Sequence, residues 1–303
     1  MNDHNSLIKK IPAVFKLKPY ANYISRQLGY ELVGDGFRWK DLSGFRLFPR
    51  QLPFIAYQRS VDPYYIPFKV DVESMTSRIG FSYQNEGWHP FVETLREYAA
   101  DPELRYEDST LARLYENYCP KNVQEVLLNR HSLPMKPFCD WPPANVLIRW
   151  VWALNTSSVD AHLARLKSRP LKEGWIFFGP HHEDYGKREF NRLTGVYDSI
   201  RKNGYNPELA GHEPVNGYFL KRGNKLRFVL LQGNHRVSAL KALGITEVDV
   251  LIRRGHPAII DYNDLNRWTS EGGGIYSSFA ANALFCSLFE ESGLDKAIRL
   301  DLI

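Results

Sequence analysis

Residues 229–252, VLLQGNHRVSALKALGITEVDVLI, constrain the fold of this chain more than any other stretch. An unbroken apolar run stops at Gln232-Gly233. Val237, Leu240 and Leu243 then recur at helical spacing, and Gly244 precedes a second, β-branched run. That pattern predicts a strand, a short helix and a strand. A helix of about ten residues is marginal alone and must be held by packing. Gly233 allows a turn that other residues resist and leaves room for close approach of a ligand. Asn234 is the expected cap of the helix, and Gly244 its left-handed stop.

The flanking pattern extends this unit. Residues 174–179 (GWIFFG) read as a short apolar strand. Residues 186–205 read as a helix with Phe190, Leu193, Tyr197 and Ile200 on one face and Gly204 as its stop. Residues 215–233 read as two strands around Arg222-Gly223-Asn224-Lys225, and 247–254 as another strand. A last helix is expected over 275–291, with Tyr276, Phe279, Ala283, Leu284 and Leu288 as its buried stripe. Earlier in the chain, 89–100, 108–118 and the NVQEVLL segment read as helices, and 159–170 as a linker helix ending at Pro170. Residues 39–70 are rich in Phe, Tyr, Pro and Arg, which predicts irregular structure or short strands. Together these give an α+β chain. Its expected division is 1–170, a mainly helical, aromatic-rich region that could serve as an acceptor-site or interaction domain, and 171–303, a small α/β domain with a C-terminal helix.

Composition narrows the function classes. After Pro170 there are 17 basic and 16 acidic residues, and before it 22 and 18. Neither half carries the concentrated positive charge of a nucleic-acid surface. Residues 6–30 hold Lys9, Lys10, Lys16, Lys18 and Arg26 and no acid. Pro12 and Pro19 interrupt any long helix there, so a basic arm packed on the body is preferred to contact with a membrane surface. The cysteines are Cys119, Cys139 and Cys286, odd in number and far apart, which fits a reducing compartment. With no long apolar run and no leader pattern, a cytoplasmic protein is expected.

The chemistry gathers at residues 233–236. His235 and Arg236 fall in the first helical turn, where the dipole disfavours cations. They suit that place if an anion sits there, because the free amides, the dipole, the Arg fork and the imidazole would all address a phosphate. The alternative is an Arg paired with a carboxylate and a His bonded to a core carbonyl.

Gly233-x-His235-Arg236, followed by Ala239 to Leu243-Gly244 and a Val-rich strand, resembles the phosphate-binding box of the ParB/sulfiredoxin superfamily. YDSIRKNGY resembles that family's SI…G helix end. WIFFGPHHED resembles its first strand and loop, which carries Pro-His-Glu in the free-serine-kinase branch. The resemblance spans about residues 174–254. It implies a ParB/sulfiredoxin-like nucleotide-binding domain, with Gly233, Asn234, His235 and Arg236 holding the phosphates of ATP or CTP, accompanied by Mg²⁺. It also implies Glu183 as the base, with Asp184 replacing it or helping to hold Mg²⁺. Asn234 stands where the sulfiredoxin-like reductases have a Cys, so that chemistry lacks its nucleophile. Gln232 stands where the kinase branch commonly has Asp, and Gln offers neither a base nor a charged metal ligand. The implied function is a nucleotide-dependent phosphotransferase or hydrolase acting on a small-molecule or glycan-type acceptor. The alternatives are a non-catalytic nucleotide- or nucleic-acid-binding switch or scaffold, and a nuclease of the same fold.

Other features carry competing readings. Glu183 and Asp184 could simply be a solvated acidic start to the next helix. His181 and His182 are adjacent, which suits a converging metal set poorly, so no metal site is assigned to the protein. Glu189 and Arg192, three apart, are expected to pair on the surface. SEGGGIYSS reads as a flexible turn before it reads as an anion cradle or lid. Tyr57, Tyr64, Tyr65, Phe81, Tyr83 and Trp88 could shape an acceptor site or fill a core.

Overall fold

A computed structural model describes residues 30–33, 38–41, 68–128, 134–135, 139–140, 142–143, 152, 176–206, 214–252, 259–272 and 276–303. Outside them lie most of the basic arm, the expected linker helix over 159–170, and Tyr57, Tyr64 and Tyr65.

The centre is a hairpin of β5 (Val215–Arg222) and β6 (Lys225–Gln232), turning at Gly223 with φ +59°. β7 (Glu247–Ile252) pairs in parallel with the first half of β5, and β8 (Ile259–Asp261) with its second half. β3 (Phe68–Asp71) lies antiparallel on β7, while β4 (Met75–Ser77) lies parallel on β6. The strand order is therefore β3-β7-β5-β6-β4, with β8 on β5. A separate antiparallel pair joins β1 (Tyr30–Val33) and β2 (Arg38–Asp41).

This order forces curvature. β3 and β4 occupy opposite edges, yet only the single 3-10 turn Val72–Ser74 joins them. Four Cα steps reach at most about 14 Å, whereas a flat sheet would put those edges about 19 Å apart. The sheet must curl until its edges approach. Strands from both sides of residue 170 belong to it.

Helices pack against the sheet and one another. α1 (Pro90–Ala100) is capped by His89, whose Nδ1 accepts from the Phe91 amide at 3.2 Å, with proline in the first turn. α2 (Thr110–Asn117) is capped by Ser109, and α3 (Val123–Leu127) by Asn122. α4 (Glu183–Asn203) starts with two acids, ends with Arg201 and Lys202, and stops at Gly204 with φ +72°. This charge order complements the helix dipole. α5 (Asn234–Ala242) follows β6 and packs on α1 and α4. α6 (Ser278–Glu290) and α7 (Leu294–Arg299) complete the chain. Phe91, Leu95, Phe177, Leu193, Val229, Val237, Leu240 and Val250 are fully buried between these layers.

Three expectations change, and one open alternative is decided. Ile176 and Phe177 form a turn and Phe178 a single β-bridge, and the buried phenyl rings of Phe177 and Phe178 fill the core. α6 begins at Ser278 because Ser277 caps it, and Tyr276 instead bridges Thr269. Phe279 is 57% exposed, so the buried stripe of α6 runs through Ala280, Ala283, Leu284 and Leu288. Phe81, Tyr83 and Trp88 are core residues: Phe81 meets Trp88 edge to face at 5.6 Å, and Tyr83 stacks on His89 at 4.4 Å. No helix among the described residues is long and apolar enough to cross a membrane.

Candidate functional site

β6 ends at Gln232, and Gly233 turns the chain with φ +104° and ψ 16°. A Cβ at Gly233 would lie 2.9 Å from Val215 Cγ2, so both the backbone angle and the space select glycine. Gly233, and not Asn234, is the cap of α5; Asn234 is the first helical residue. The earliest helical bond of α5 is Val237 N–H to Gly233 O at 2.9 Å. The amides of residues 234–236 thus precede the ladder and have no partner within the helix.

The side chains divide into clamped and open. Asn234 is buried, and its Oδ1 takes no hydrogen bond among the described residues. Its carbonyl accepts from Tyr83 Oη at 3.4 Å, and that hydroxyl also meets Ser238 Oγ at 3.3 Å. His235 is buried with its ring stacked on Phe91 at 5.1 Å, and its Nε2 lies 3.0 Å from Glu189 Oε2. The two atoms make a close polar contact that falls short of hydrogen-bond geometry. The Arg236 guanidinium lies over Gly233, and its buried Nη1 meets no acceptor among the described residues. Tyr205 stands beside it: burial raises the phenol, and the guanidinium opposes that rise.

Glu189 is the residue that sequence reasoning misplaced. It does approach Arg192, at 3.7 Å, but its side chain is only 12% exposed and faces His235. Burial pushes its carboxyl up; the contact and charge of His235, then Arg192 and His181, outweigh this and hold it below its ordinary value. A signal was present: Glu189 precedes Leu193 by four and follows Gly186 by three, within the apolar stripe of α4.

Glu183 and Asp184 lie in the first turn of α4 with exposed side chains. Glu183 Oε1 is 2.6 Å from Lys187 Nζ, which also reaches Glu107 at 2.7 Å. Asp184 pairs with His182, the cap of α4, at 3.4 Å. Glu183 sits six residues before Glu189, about 9 Å along the helix axis. No hydrogen bond or ion pair between described residues joins Glu183 or Asp184 to residues 233–236. Gln232 Oε1 accepts from Asn216 Nδ2 at 3.2 Å, tying the end of β6 to β5. Among the described residues no three His, Cys, Asp or Glu side chains converge as a metal cage. Asp184 is an exposed carboxylate, and a phosphate-borne Mg²⁺ needs only one or two such ligands because it keeps its waters.

His89 sits behind the corner. Its Nδ1 caps α1, and its buried Nε2 has no hydrogen-bond partner among the described residues. Burial first, and the electrostatic influence of neighbouring His235 second, push it down from 6.5 to about 3. The unfolded chain therefore takes up a proton near pH 6.5 that the folded chain refuses until about pH 3. The stability contributed by this neutral histidine is complete above pH 6.5 and drains as pH falls, by up to about 1.4 kcal/mol per unit. Urea midpoints at pH 7 and pH 5 should show this loss in the wild type. His89→Asn, which retains a capping side chain, should flatten it; an equal acid loss in the variant would remove His89 as the cause.

No family model, curated protein or solved structure matches this chain.

Proposed function

We propose that the corner at Gly233, Asn234, His235 and Arg236 binds the phosphates of ATP or CTP. On this reading the chain is a nucleotide-dependent phosphotransferase or hydrolase with a small-molecule or glycan-type acceptor. The observation that carries it is the Arg236 guanidinium, with a buried Nη1 that meets no acceptor among the described residues, lying over a left-handed glycine at the first turn of α5. A buried donor without a partner is costly. A phosphate oxygen would satisfy it together with the helix amides and the dipole. The finer fold reading that accompanies this is ParB/sulfiredoxin-like: α4, the β5–β6 hairpin, α5 and β7 follow one another, with the corner between β6 and α5.

Asp184 would hold a nucleotide-borne Mg²⁺, which would supply neutralisation of the phosphate charge. Arg236 and the amides would orient the terminal phosphate. Glu183, freed from Lys187, would accept the proton of the acceptor hydroxyl or of water.

A second reading, a non-catalytic nucleotide-binding switch or scaffold, is favoured by two observations. Gln232 provides no charge and is occupied by Asn216. Glu183 is held by Lys187 about two turns of helix from the Glu189–His235 contact. Phosphate release from ATP and CTP with Mg²⁺, measured on wild type and Glu183→Gln, separates the two. The catalytic reading expects turnover in the wild type and a loss of about 100-fold or more in the variant, the scale of a general base, with nucleotide binding retained. Binding without turnover in the wild type would establish the switch, and equal turnover in both would remove Glu183 as the base.

A further inference from the structure

At the other end of β6 from Gly233 lies a cleft of about 770 Å³. It opens between the 3-10 turn Val72–Ser74, the start of β6 and the end of α6. Its walls include Lys225, Leu226, Arg227 and Phe289. Arg227 and Gln232 are five residues apart on β6, about 17 Å of strand, so the cleft is a place distinct from the corner.

Arg227 is the most buried residue of the described lining, at 3% exposed. Its Nη1 donates to Phe289 O, and its Nη2 to Ser82 Oγ at 3.2 Å. Both acceptors are neutral, and no carboxylate among the described residues forms an ion pair with the guanidinium. A buried charge is ordinarily set against an opposite one, because desolvation is costly. Burial alone lowers this guanidinium to about 10, so it is still charged at neutral pH. A guanidinium carries five N–H donors, and the two bonds above leave three for a ligand.

The surrounding charges do not supply the missing partner. Glu290 pairs with Arg222, and Glu73 with Lys241 at 3.4 Å. Asp71 and Lys225 are exposed at the rim and make no ion pair among the described residues. With the paired acids set aside, Asp71 offsets Lys225, and the charge of Arg227 is left over. One negative charge balances it. The polyphosphate of a nucleotide would instead meet the carboxylates of Asp71, Glu73 and Glu290. Lys225 and Arg227, two apart in regular register, stand on one face of β6. Leu226 and Phe289, the latter stacked on Phe285 at 5.3 Å, add apolar wall.

We propose that this cleft is a second ligand site that takes a small monocarboxylic acid, with its carboxylate on the Arg227 guanidinium and its apolar body against Phe289 and Leu226. The site is independent of the nucleotide reading, and neither stands or falls with the other.

Calorimetric titration of the whole chain with benzoate, and with benzamide as its uncharged counterpart, tests it. Benzoate should bind saturably in the millimolar range or tighter, and about tenfold or more tighter than benzamide, the scale of one charge-assisted hydrogen bond. Arg227→Met keeps the apolar stem and should lose that preference. A buried arginine also serves the fold, so a measurement on the wild type accompanies the variant. Amide ¹⁵N–¹H shifts on adding benzoate should move at residues 225–227 and 289–290 and stay fixed at 233–236. Arg236→Ala should bind benzoate as the wild type does. Absence of saturable benzoate binding, equal affinity for benzoate and benzamide, a folded Arg227→Met that keeps the preference, or shifts confined to residues 233–236 would each overturn the proposal.

Discussion

Arg236→Ala should weaken ATP binding by about 30- to 1000-fold, two to four kcal/mol on the scale of charge-assisted hydrogen bonds to a phosphate. The same change should leave the melting temperature of the free protein level or higher. The two halves of this expectation have one cause. Nη1 of Arg236 is buried without an acceptor among the described residues, so truncation removes a costly group and gives up only the guanidinium's contact with the Tyr205 phenol in exchange. An arginine that served the fold would behave in reverse, losing stability when cut back. Arg236→Lys should fall between, because an ammonium keeps the charge but loses the planar fork. Calorimetry supplies the affinities, and the thermal shift on adding ATP should vanish in the alanine variant. Unchanged ATP affinity in Arg236→Ala would remove the corner as a phosphate site.

What the sequence disclosed, and what it hid, follows from the range of the forces involved. The hairpin, α4, α5 and β7 were legible because each is announced locally: apolar periodicity, a turn at Gly223, stops at Gly204 and Gly244. The cap of α5 was misread by one residue. Asn is the better capping side chain by propensity, but the crowding of Val215 against residue 233 and the positive φ there gave the position to glycine. The edges of the sheet were not legible. Residues 68–71 and 75–77 are short and follow a proline-rich stretch, and their partners lie more than 150 residues downstream. Glu189 was hidden for a similar reason. Spacing of three to Arg192 is a local cue, and it is satisfied at 3.7 Å, but the partner that explains its burial lies on another helix. Glu183 and Asp184 show the converse. A local cue for helix starts places them correctly in the first turn of α4, while their suggested chemistry depends on distances that no local pattern encodes.

Lys296→Ala should destabilise the protein by about 2–4 kcal/mol and alter how its stability depends on pH. Lys296 is fully buried on α7, and its ammonium donates to Ile79 O at 2.6 Å, Val126 O at 3.0 Å and Tyr118 Oη at 3.3 Å, over the face of Phe81. It thus ties the C-terminal helix to α3 and to the turn after β4. Truncation orphans two buried carbonyls, at about 1–3 kcal/mol each, and opens a cavity where the stem lay. Relief of the buried charge offsets part of this. Lys296→Met, which fills the cavity, should lose less. Burial pushes the ammonium down from 10.5 to about 7, with Glu291 opposing and Arg299 assisting. Below pH 7 both folded and unfolded chains hold this proton, and the full penalty of a buried charge applies. As pH rises from about 7 toward 10.5, the folded chain releases a proton that the unfolded chain retains. The folded state is then favoured by up to about 1.4 kcal/mol per pH unit from this group. Above pH 10 the buried Tyr83, Tyr118, Tyr218 and Tyr276, each raised by burial, reverse the trend. Urea unfolding at pH 7, 8 and 9 is the clean window. The wild type should gain stability across it and both variants should not; parallel slopes in all three proteins would mean that Lys296 keeps its proton through that range.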